Sequence, residues 1–70
     1  MYKLMDKATG ETVPTGNIVF TMHREAVTLV GCTSPRHGAD PGRIRCRDES
    51  GTEHEWFPAA CGLEFVRVPS

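Results

Sequence analysis

The chain has 70 residues, of which 39% are hydrophobic and 24% are charged, and its formal net charge at pH 7 is −1. A chain of this length forms one domain near the lower size limit for a hydrophobic core, which leaves little room for a deep substrate cavity. The near-neutral charge argues against a strongly basic nucleic-acid binder and against an acidic tail.

The N-terminal segment and the cysteines predict a cytoplasmic protein. No apolar run has the length of a secretory signal or of a membrane span, which takes roughly 18 residues. Cys32, Cys46 and Cys61 are odd in number and widely spaced, as expected of reduced thiols. We therefore expect a single cytoplasmic domain over residues 1–70, with no membrane segment.

The residue pattern predicts six short strands and no long helix. Runs of β-branched and aromatic residues alternate with Gly, Pro and Asp clusters, and helical spacing of apolar residues is not sustained. In chain order the predicted strands are Tyr2–Asp6, Ile18–Met22, Ala26–Cys32, Arg43–Arg47, Glu53–Phe57 and Leu63–Val68. Glycine turns are predicted in KATGET and VPTGN, with Val13 in a short extended piece between them, and HRE forms a tight connection.

The hairpin in RIRCRDESGTEHEWF is the best-defined element. Asp48 and Gly51 occupy the first and fourth positions of a type I turn, and Gly51 suits the left-handed position of a bulged loop. This turn fixes a register in which the facing pairs are Asp48–Thr52, Arg47–Glu53, Cys46–His54, Arg45–Glu55 and Ile44–Trp56. One face then carries two Arg–Glu pairs, and the other carries the Cys–His and Ile–Trp pairs. A one-residue slip of the register would destroy this separation.

The sequence FPAACGL interrupts the strand that follows the hairpin. Pro58 cannot donate to a ladder, and the small residues after it suit one 3₁₀ turn near Pro58–Cys61. A hairpin, an aromatic–proline pair, a 3₁₀ turn and a short final strand resemble the end of a Src homology 3 barrel, over about residues 43–68. TGNIVF resembles the opening of several bacterial small-barrel families. The resemblance implies an all-β fold, a small Src-homology-3-like barrel of five to six strands.

The resemblance implies a fold without the family's polyproline ligand. The groove tyrosine of that family corresponds to Cys61 here, and its asparagine corresponds to Ala60. That groove stacks prolines between exposed aromatic rings, whereas the few aromatic residues of this chain are mostly needed in the core. The expected core consists of Ile18, Phe20, Val27, Leu29, Ile44, Trp56, Leu63 and Phe65.

Metal-binding and catalytic chemistry lack a complete set of residues. Metal-ligand side chains are present at Cys32, His37, Cys46, His54 and Cys61, but no closely spaced cysteine pair marks a zinc site. The facing Cys46 and His54 supply two ligands at most, and they have neither a cleft nor a third group for nucleophilic catalysis. We therefore predict a protein that is not an enzyme, with no cofactor, no metal and no small-molecule substrate.

Basic side chains mark the predicted binding surface. Residues 23–47 hold five arginines against two carboxylates, a balance of +3, whereas residues 48–70 have a balance of −4. The irregular loop 33–42 adjoins the strand Arg43–Arg47, whose alternating arginines share one face. The candidate binding residues are Arg24, Arg36, His37, Arg43, Arg45 and Arg47.

Two functions fit this surface. Interaction with a protein partner, or self-association, is favoured because a small barrel has mainly its surface and its edge strands to use. The alternative is binding of RNA or single-stranded DNA through the same residues. The pairs Arg45–Glu55 and Arg47–Glu53 would neutralise much of the patch, which leaves Arg24, Arg36 and Arg43 without an obvious partner.

Overall fold

Six strands and one 3₁₀ turn make up the regular elements of the structure, a computed structural model that describes residues 1–69. In chain order these are β1 (Tyr2–Asp6), β2 (Ile18–Phe20), β3 (Ala26–Thr33), β4 (Arg43–Arg47), β5 (Glu53–Trp56), the 3₁₀ turn (Pro58–Cys61) and β6 (Leu63–Arg67). The all-β prediction is confirmed. The predicted strands are present, and their ends differ from the predicted ends by no more than two residues.

The strands form two antiparallel sheets. β1 pairs with β6 in the first, and the second has the order β2-β3-β4-β5. No ladder within residues 1–69 closes the two sheets into one cylinder. A single backbone hydrogen bond links the residues after β2 to the 3₁₀ turn, in which the N–H of Met22 donates to the carbonyl of Ala60 at 3.1 Å. The segment before β2 is tied down in the same way, by the N–H of Gly16 to the carbonyl of Leu29 at 2.7 Å.

The predicted β4–β5 hairpin and its register are confirmed. Ile44 faces Trp56, Cys46 faces His54, and each arginine faces its predicted glutamate. Gly51 has a φ of 87°, the left-handed conformation that the turn requires of it. The carboxylate of Asp48 accepts hydrogen bonds from the N–H groups of Ser50 and Thr52, each at 3.0 Å. The turn is therefore specified by its own residues.

The interruption after the hairpin is a 3₁₀ turn, as predicted. Pro58 stands at its start and Cys61 at its end, and both are buried. Gly62 terminates it with a φ of 67°, and its N–H donates to the carbonyl of Ala59 at 3.1 Å. Because glycine adopts this left-handed conformation without strain, the chain reverses and β6 begins at the next residue.

One core contains side chains from both sheets and from the 3₁₀ turn. Its buried members are Leu4, Val19, Val27, Leu29, Ile44, Cys46, Cys61 and Leu63, with Val13, Trp56 and Phe65 packed against them. The Cα radius of gyration is 11.6 Å, close to the roughly 11 Å expected of a compact chain of this length. Six of the eight predicted core residues thus lie in or against the core.

The prediction that Ile18 and Phe20 belong to the core is wrong. Their relative exposures are 64% and 60%, whereas Val19 between them is buried. Val19 lies directly opposite Val27 in the β2–β3 ladder, and facing residues in a ladder share one side of the sheet. Because side chains alternate along a strand, burial of Val19 turns both of its neighbours outward.

Candidate binding surface

Asp40 organises the loop between β3 and β4. Its carboxylate accepts hydrogen bonds from the N–H of Arg36 at 3.1 Å and from the N–H of Gly42 at 2.9 Å. These two backbone donors hold the pKa of Asp40 below its ordinary value of 3.8, because they stabilise the charged carboxylate. The carboxylate therefore closes residues 36–42 into a defined turn.

Gly42 packs the base of this loop against Phe65 of β6. It has a φ of 81°, and a Cβ added to it would lie 2.5 Å from ring carbons of Phe65 and 2.9 Å from the carbonyl oxygen of Thr33. Both the backbone conformation and the space at this position therefore require glycine. The loop is fixed at its C-terminal end by this contact and across its middle by Asp40.

Arg43 and Phe57 form a ridge beside the loop. The guanidinium carbon of Arg43 lies 4.2 Å from the centroid of the Phe57 ring, a cation–π contact. The same guanidinium donates to the carbonyl of Gly42 at 3.0 Å and lies 3.5 Å from the carboxylate of Asp40. Phe57 is 52% exposed, so the Arg43–Phe57 ridge presents an aromatic ring and a cation to solvent.

Two grooves share the ridge residues and Glu55. The polar groove has a volume of about 590 Å³, and its remaining lining residues are Thr33, Arg36, His37, Ala39, Asp40, Pro41 and Gly42. The apolar groove has a volume of about 410 Å³, and its remaining lining residues are Met22, Trp56, Ala59 and Ala60. The ridge thus borders a polar and an apolar concave surface at the same end of the four-stranded sheet.

The structure brings three of the six predicted binding residues together. Arg36, His37 and Arg43 line the polar groove. Arg45 and Arg47 continue along β4 on its exposed face. Arg24 lies apart from them, beside Asp48 and Glu49 at the tip of the β4–β5 hairpin, with the length of β4 between it and the loop.

The ion pairs differ in part from those predicted. Arg47 pairs with Glu53 at 3.1 Å, as predicted, whereas Arg43, which was predicted to have no obvious partner, pairs with Asp40 at 3.5 Å. Arg45 faces Glu55 in the ladder without reaching it, because the Arg45 guanidinium lies over Gly31. Within residues 1–69, Arg45 therefore has no ion pair.

The net charge of this surface is small. Arg36, Arg43, Arg45 and Arg47 stand against Asp40, Glu53 and Glu55, which gives a formal balance of +1 with His37 neutral. The basic 23–47 segment and the acidic 48–70 segment are interleaved, since β4 and β5 are neighbours in the sheet. The uneven charge along the chain therefore does not produce one strongly basic face.

Asp40, Met22 and Phe57 were not among the predicted binding residues, and the aromatic residues, Phe57 included, were expected mostly to be needed in the core. The register contained a signal for Phe57, because Trp56 faces the buried Ile44 and the next residue along an extended chain points the other way. For Asp40 the signal was its position two residues before a loop glycine, where aspartate often binds backbone N–H groups. No sequence pattern indicates that Met22 lies near the 3₁₀ turn.

Cys46 and His54 face each other in the ladder, as predicted, but the His54 ring contacts other side chains. His54 Nε2 lies 2.8 Å from Asp48 Oδ2, and the His54 ring stacks on Trp56 with the two centroids 5.0 Å apart. Cys46 and Cys61 belong to the same buried cluster, and burial raises the pKa of the Cys46 thiol to about 12. No three ligand side chains within residues 1–69 are grouped to hold a metal ion.

No protein-family model, curated protein or solved structure matches the chain. In the part of the chain that the structure describes, no helix has the length and apolar character needed to cross a membrane. The function is therefore inferred from the chain's own grooves, charges and exposed apolar side chains.

Proposed function

We propose that the chain is a non-enzymatic binding module that receives a segment of a protein partner across the Arg43–Phe57 ridge. The observation that carries this proposal is an exposed aromatic–cation pair between a polar and an apolar groove, beside a loop held by Asp40. Aromatic and arginine side chains dominate the binding energy of protein interfaces when polar groups surround them. A loop already closed in the free protein also reduces the entropy that binding must overcome.

Binding of RNA or single-stranded DNA is less well supported by the same surface. The carboxylates of Asp40 and Glu55 line the polar groove, where they would repel phosphate groups. One face of the Phe57 ring is already covered by Arg43, which reduces the aromatic surface available for base stacking. Mixed charge with an aromatic centre suits a polypeptide better than a polyanion.

A Src-homology-3-like barrel is the fold that we propose for this module. In support, a hairpin, a 3₁₀ turn and a short final strand follow one another in the order typical of that family. Leu4 and Leu63 of the two-stranded sheet also share one core with Leu29 and Ile44 of the four-stranded sheet. The fold does not itself specify a ligand, so the partner must be found by experiment.

The cytoplasm is the compartment that we propose for the module. Its three cysteines are free thiols, and two of them are buried. Free thiols persist where glutathione and thioredoxin keep them reduced. When thiols are labelled in intact cells before lysis, all three cysteines should be found in the reduced state. A disulfide-linked population of the protein in untreated cells would contradict this location.

Affinity capture from native lysate, with and without nuclease, tests the proposed function. The bait is the full chain, compared with Phe57→Ser and with the matched control Arg24→Ser, which alters a side chain in the turn between β2 and β3, away from the ridge. We expect a discrete protein to be captured in the presence of nuclease, to be lost with Phe57→Ser and to be retained with Arg24→Ser. Circular dichroism of each variant checks that it is folded.

Two results would overturn the proposal. Capture that disappears on nuclease treatment would assign the surface to a nucleic acid. Equal capture by the folded Phe57→Ser variant and the wild type would place the protein-binding surface elsewhere.

Self-association is a second candidate, favoured by the open edge of β2. The N–H of Thr21 donates to Glu25 at 3.0 Å and the carbonyl of Asn17 accepts from Leu29 at 2.9 Å, so odd-numbered residues bond to β3. The backbone groups of Ile18 and Phe20 therefore point to the open side, beside exposed uncharged side chains. By contrast, the open edge of β5 carries glutamates, which discourage pairing with a second copy.

Sedimentation should show a doubled mass that Phe20→Lys abolishes, and a wild-type monomer at high concentration would exclude this candidate.

A further inference from the structure

The Arg45 side chain is positioned by the neighbouring strand. Arg45 lies between Ile44 and Cys46, which have no exposed surface, so its side chain is on the outer face of the four-stranded sheet. The β3–β4 ladder shifts its register between Leu29 and Gly31, and Gly31 then faces Arg45. A Cβ built on Gly31 would lie 2.8 Å from Cζ of Arg45 and 3.1 Å from its Nε. The guanidinium therefore occupies the space that a side chain at position 31 would fill.

The guanidinium of Arg45 is exposed, and the protein supplies no acceptor for it. Within residues 1–69 it makes no ion pair and no side-chain hydrogen bond, whereas the arginines on either side of it in β4 are both engaged by carboxylates. Two parallel N–H groups of a guanidinium match the two oxygens of a carboxylate. Contact with Gly31 also restricts this long side chain before a ligand arrives, which reduces the entropy lost on binding.

Arg45 lies next to the Arg43–Phe57 ridge. Arg43 is two residues earlier on the same face of β4, which corresponds to roughly 7 Å along an extended strand. Glu55 faces Arg45 in the β4–β5 ladder and lines both grooves beside the ridge. An extended segment that crosses the ridge therefore reaches Arg45 within about two residues.

We propose that Arg45 forms a bidentate ion pair with one acidic side chain of the partner segment. This inference rests on the proposed function, since it names the chemistry of the segment that crosses the ridge. Glu53 and Glu55 lie on the same face of the sheet as Arg45, where they would repel a run of negative charges. The segment therefore carries a single aspartate or glutamate among uncharged residues, about two residues from those that contact the ridge.

Peptides selected from a phage-displayed library of random dodecapeptides on the immobilised full chain supply the probe. Fluorescence anisotropy then gives the Kd of each synthesised peptide for the wild type, Phe57→Ser and Arg45→Gln. We expect the peptides to share an acidic position and to lose binding with Phe57→Ser. Replacing that acidic residue by its neutral amide should raise the Kd for the wild type about tenfold. The same replacement should have no further effect on the Kd for Arg45→Gln.

Two further variants separate the contact from a general effect of charge. Arg47→Gln is the matched control, because it removes the same charge from the same face of β4 and should retain the full dependence on the acidic residue. Gly31→Ala keeps every charge but displaces the Arg45 guanidinium, and should lose most of that dependence. The added Cβ collides with the end of a flexible side chain, so we expect this variant to fold. Circular dichroism checks the fold of each variant.

The outcomes distinguish this inference from the proposed function. Peptides that need Phe57 but bind equally well without their acidic residue would overturn the inference and leave the proposed function intact. The same holds if the acidic residue matters as much for Arg45→Gln or for folded Gly31→Ala as for the wild type. Peptides that bind the folded Phe57→Ser variant and the wild type equally would instead overturn the proposed function. A library that yields no peptide for the wild type would contradict both.

Discussion

Asp48 and Asp40 perform the same structural task at two turns of the four-stranded sheet. Each carboxylate accepts hydrogen bonds from backbone N–H groups of its own turn. Asp48 also accepts from the hydroxyl of Ser50 at 2.6 Å and contacts His54 at 2.8 Å. These hydrogen bonds hold the pKa of Asp48 far below its ordinary value of 3.8, and the bond from the Ser50 hydroxyl has the largest effect. The charged form of Asp48 is therefore favoured in the folded protein.

The stability of the fold should decrease in acid because of these two aspartates. A carboxylate whose pKa is lower in the folded than in the unfolded chain stabilises the fold above about pH 4, and this contribution is lost as pH falls below that value. We expect Asp48→Asn to have a lower thermal midpoint than the wild type at neutral pH. The difference should shrink between about pH 4 and about pH 2.

Thermal melts followed by circular dichroism over this pH range provide the measurement. Glu49→Gln is the matched control, since Glu49 is an exposed neighbour whose carboxylate makes no hydrogen bond within residues 1–69. The control should follow the wild-type curve. A constant difference between Asp48→Asn and the wild type at every pH would contradict the role assigned to Asp48.

Arg24 is held in a conformation that suits glycine better. It has a φ of 63° in the turn between β2 and β3, where its N–H donates to the carbonyl of Thr21 at 2.8 Å. The left-handed conformation costs a residue with a Cβ about 1 kcal/mol. Arg24→Gly should therefore raise the free energy of unfolding in urea by about 1 kcal/mol. Arg24→Ala removes the same charge but keeps the Cβ, so it should show no such gain; an equal gain would attribute the effect to charge.

At the scale of the elements, the base of loop 33–42 depends on Gly42. Gly42→Ala combines a strained backbone with a Cβ that collides with the Phe65 ring, and should lower the free energy of unfolding by about 2 kcal/mol. Gly38→Ala in the same loop is the matched control, because its added Cβ meets no atom within 4 Å. Urea denaturation compares the two variants. Equal stabilities would show that Phe65 does not anchor the loop.

Local turn chemistry explains why the β4–β5 hairpin was predictable. Asp48 and Gly51 specify the turn, and the turn determines every facing pair of the ladder. In β2 the three residues are all apolar, so the sequence carries no alternation from which to choose the buried face. That choice depends on Val27 in the next strand, a tertiary contact outside the segment. Self-contained elements were therefore predicted better than those defined by their neighbours.

The binding surface, like the fold, was predictable only in part. Arg36, His37 and Arg43 were identified because they lie on or beside a long irregular loop. The register that pairs Arg45 with Glu55 is correct, but the ion pair is absent because Gly31 leaves space for the guanidinium across the neighbouring strand. Such side-chain choices depend on a third strand, which a two-strand register does not include.

At the scale of the whole molecule, the pairing of β4 with β5 mixes the charges. The arginines of β4 occupy every second position of the strand, on the face where the glutamates of β5 lie. Positive and negative groups are therefore neighbours on that face. With a pI of about 6.3, the chain should pass through a heparin column at low salt near neutral pH. Retention that requires more than about 0.3 M salt for elution would contradict the mixed-charge surface.

The central claim is that the Arg43–Phe57 ridge and its two grooves bind a protein. Titration of the ¹⁵N-labelled chain with the captured partner, followed by amide chemical shifts, tests it most directly. Shifts should be concentrated in residues 33–43 and 55–60, on both sides of the ridge. Shifts confined to the β2 edge or to the tip of the β4–β5 hairpin, with the ridge unchanged, would contradict it.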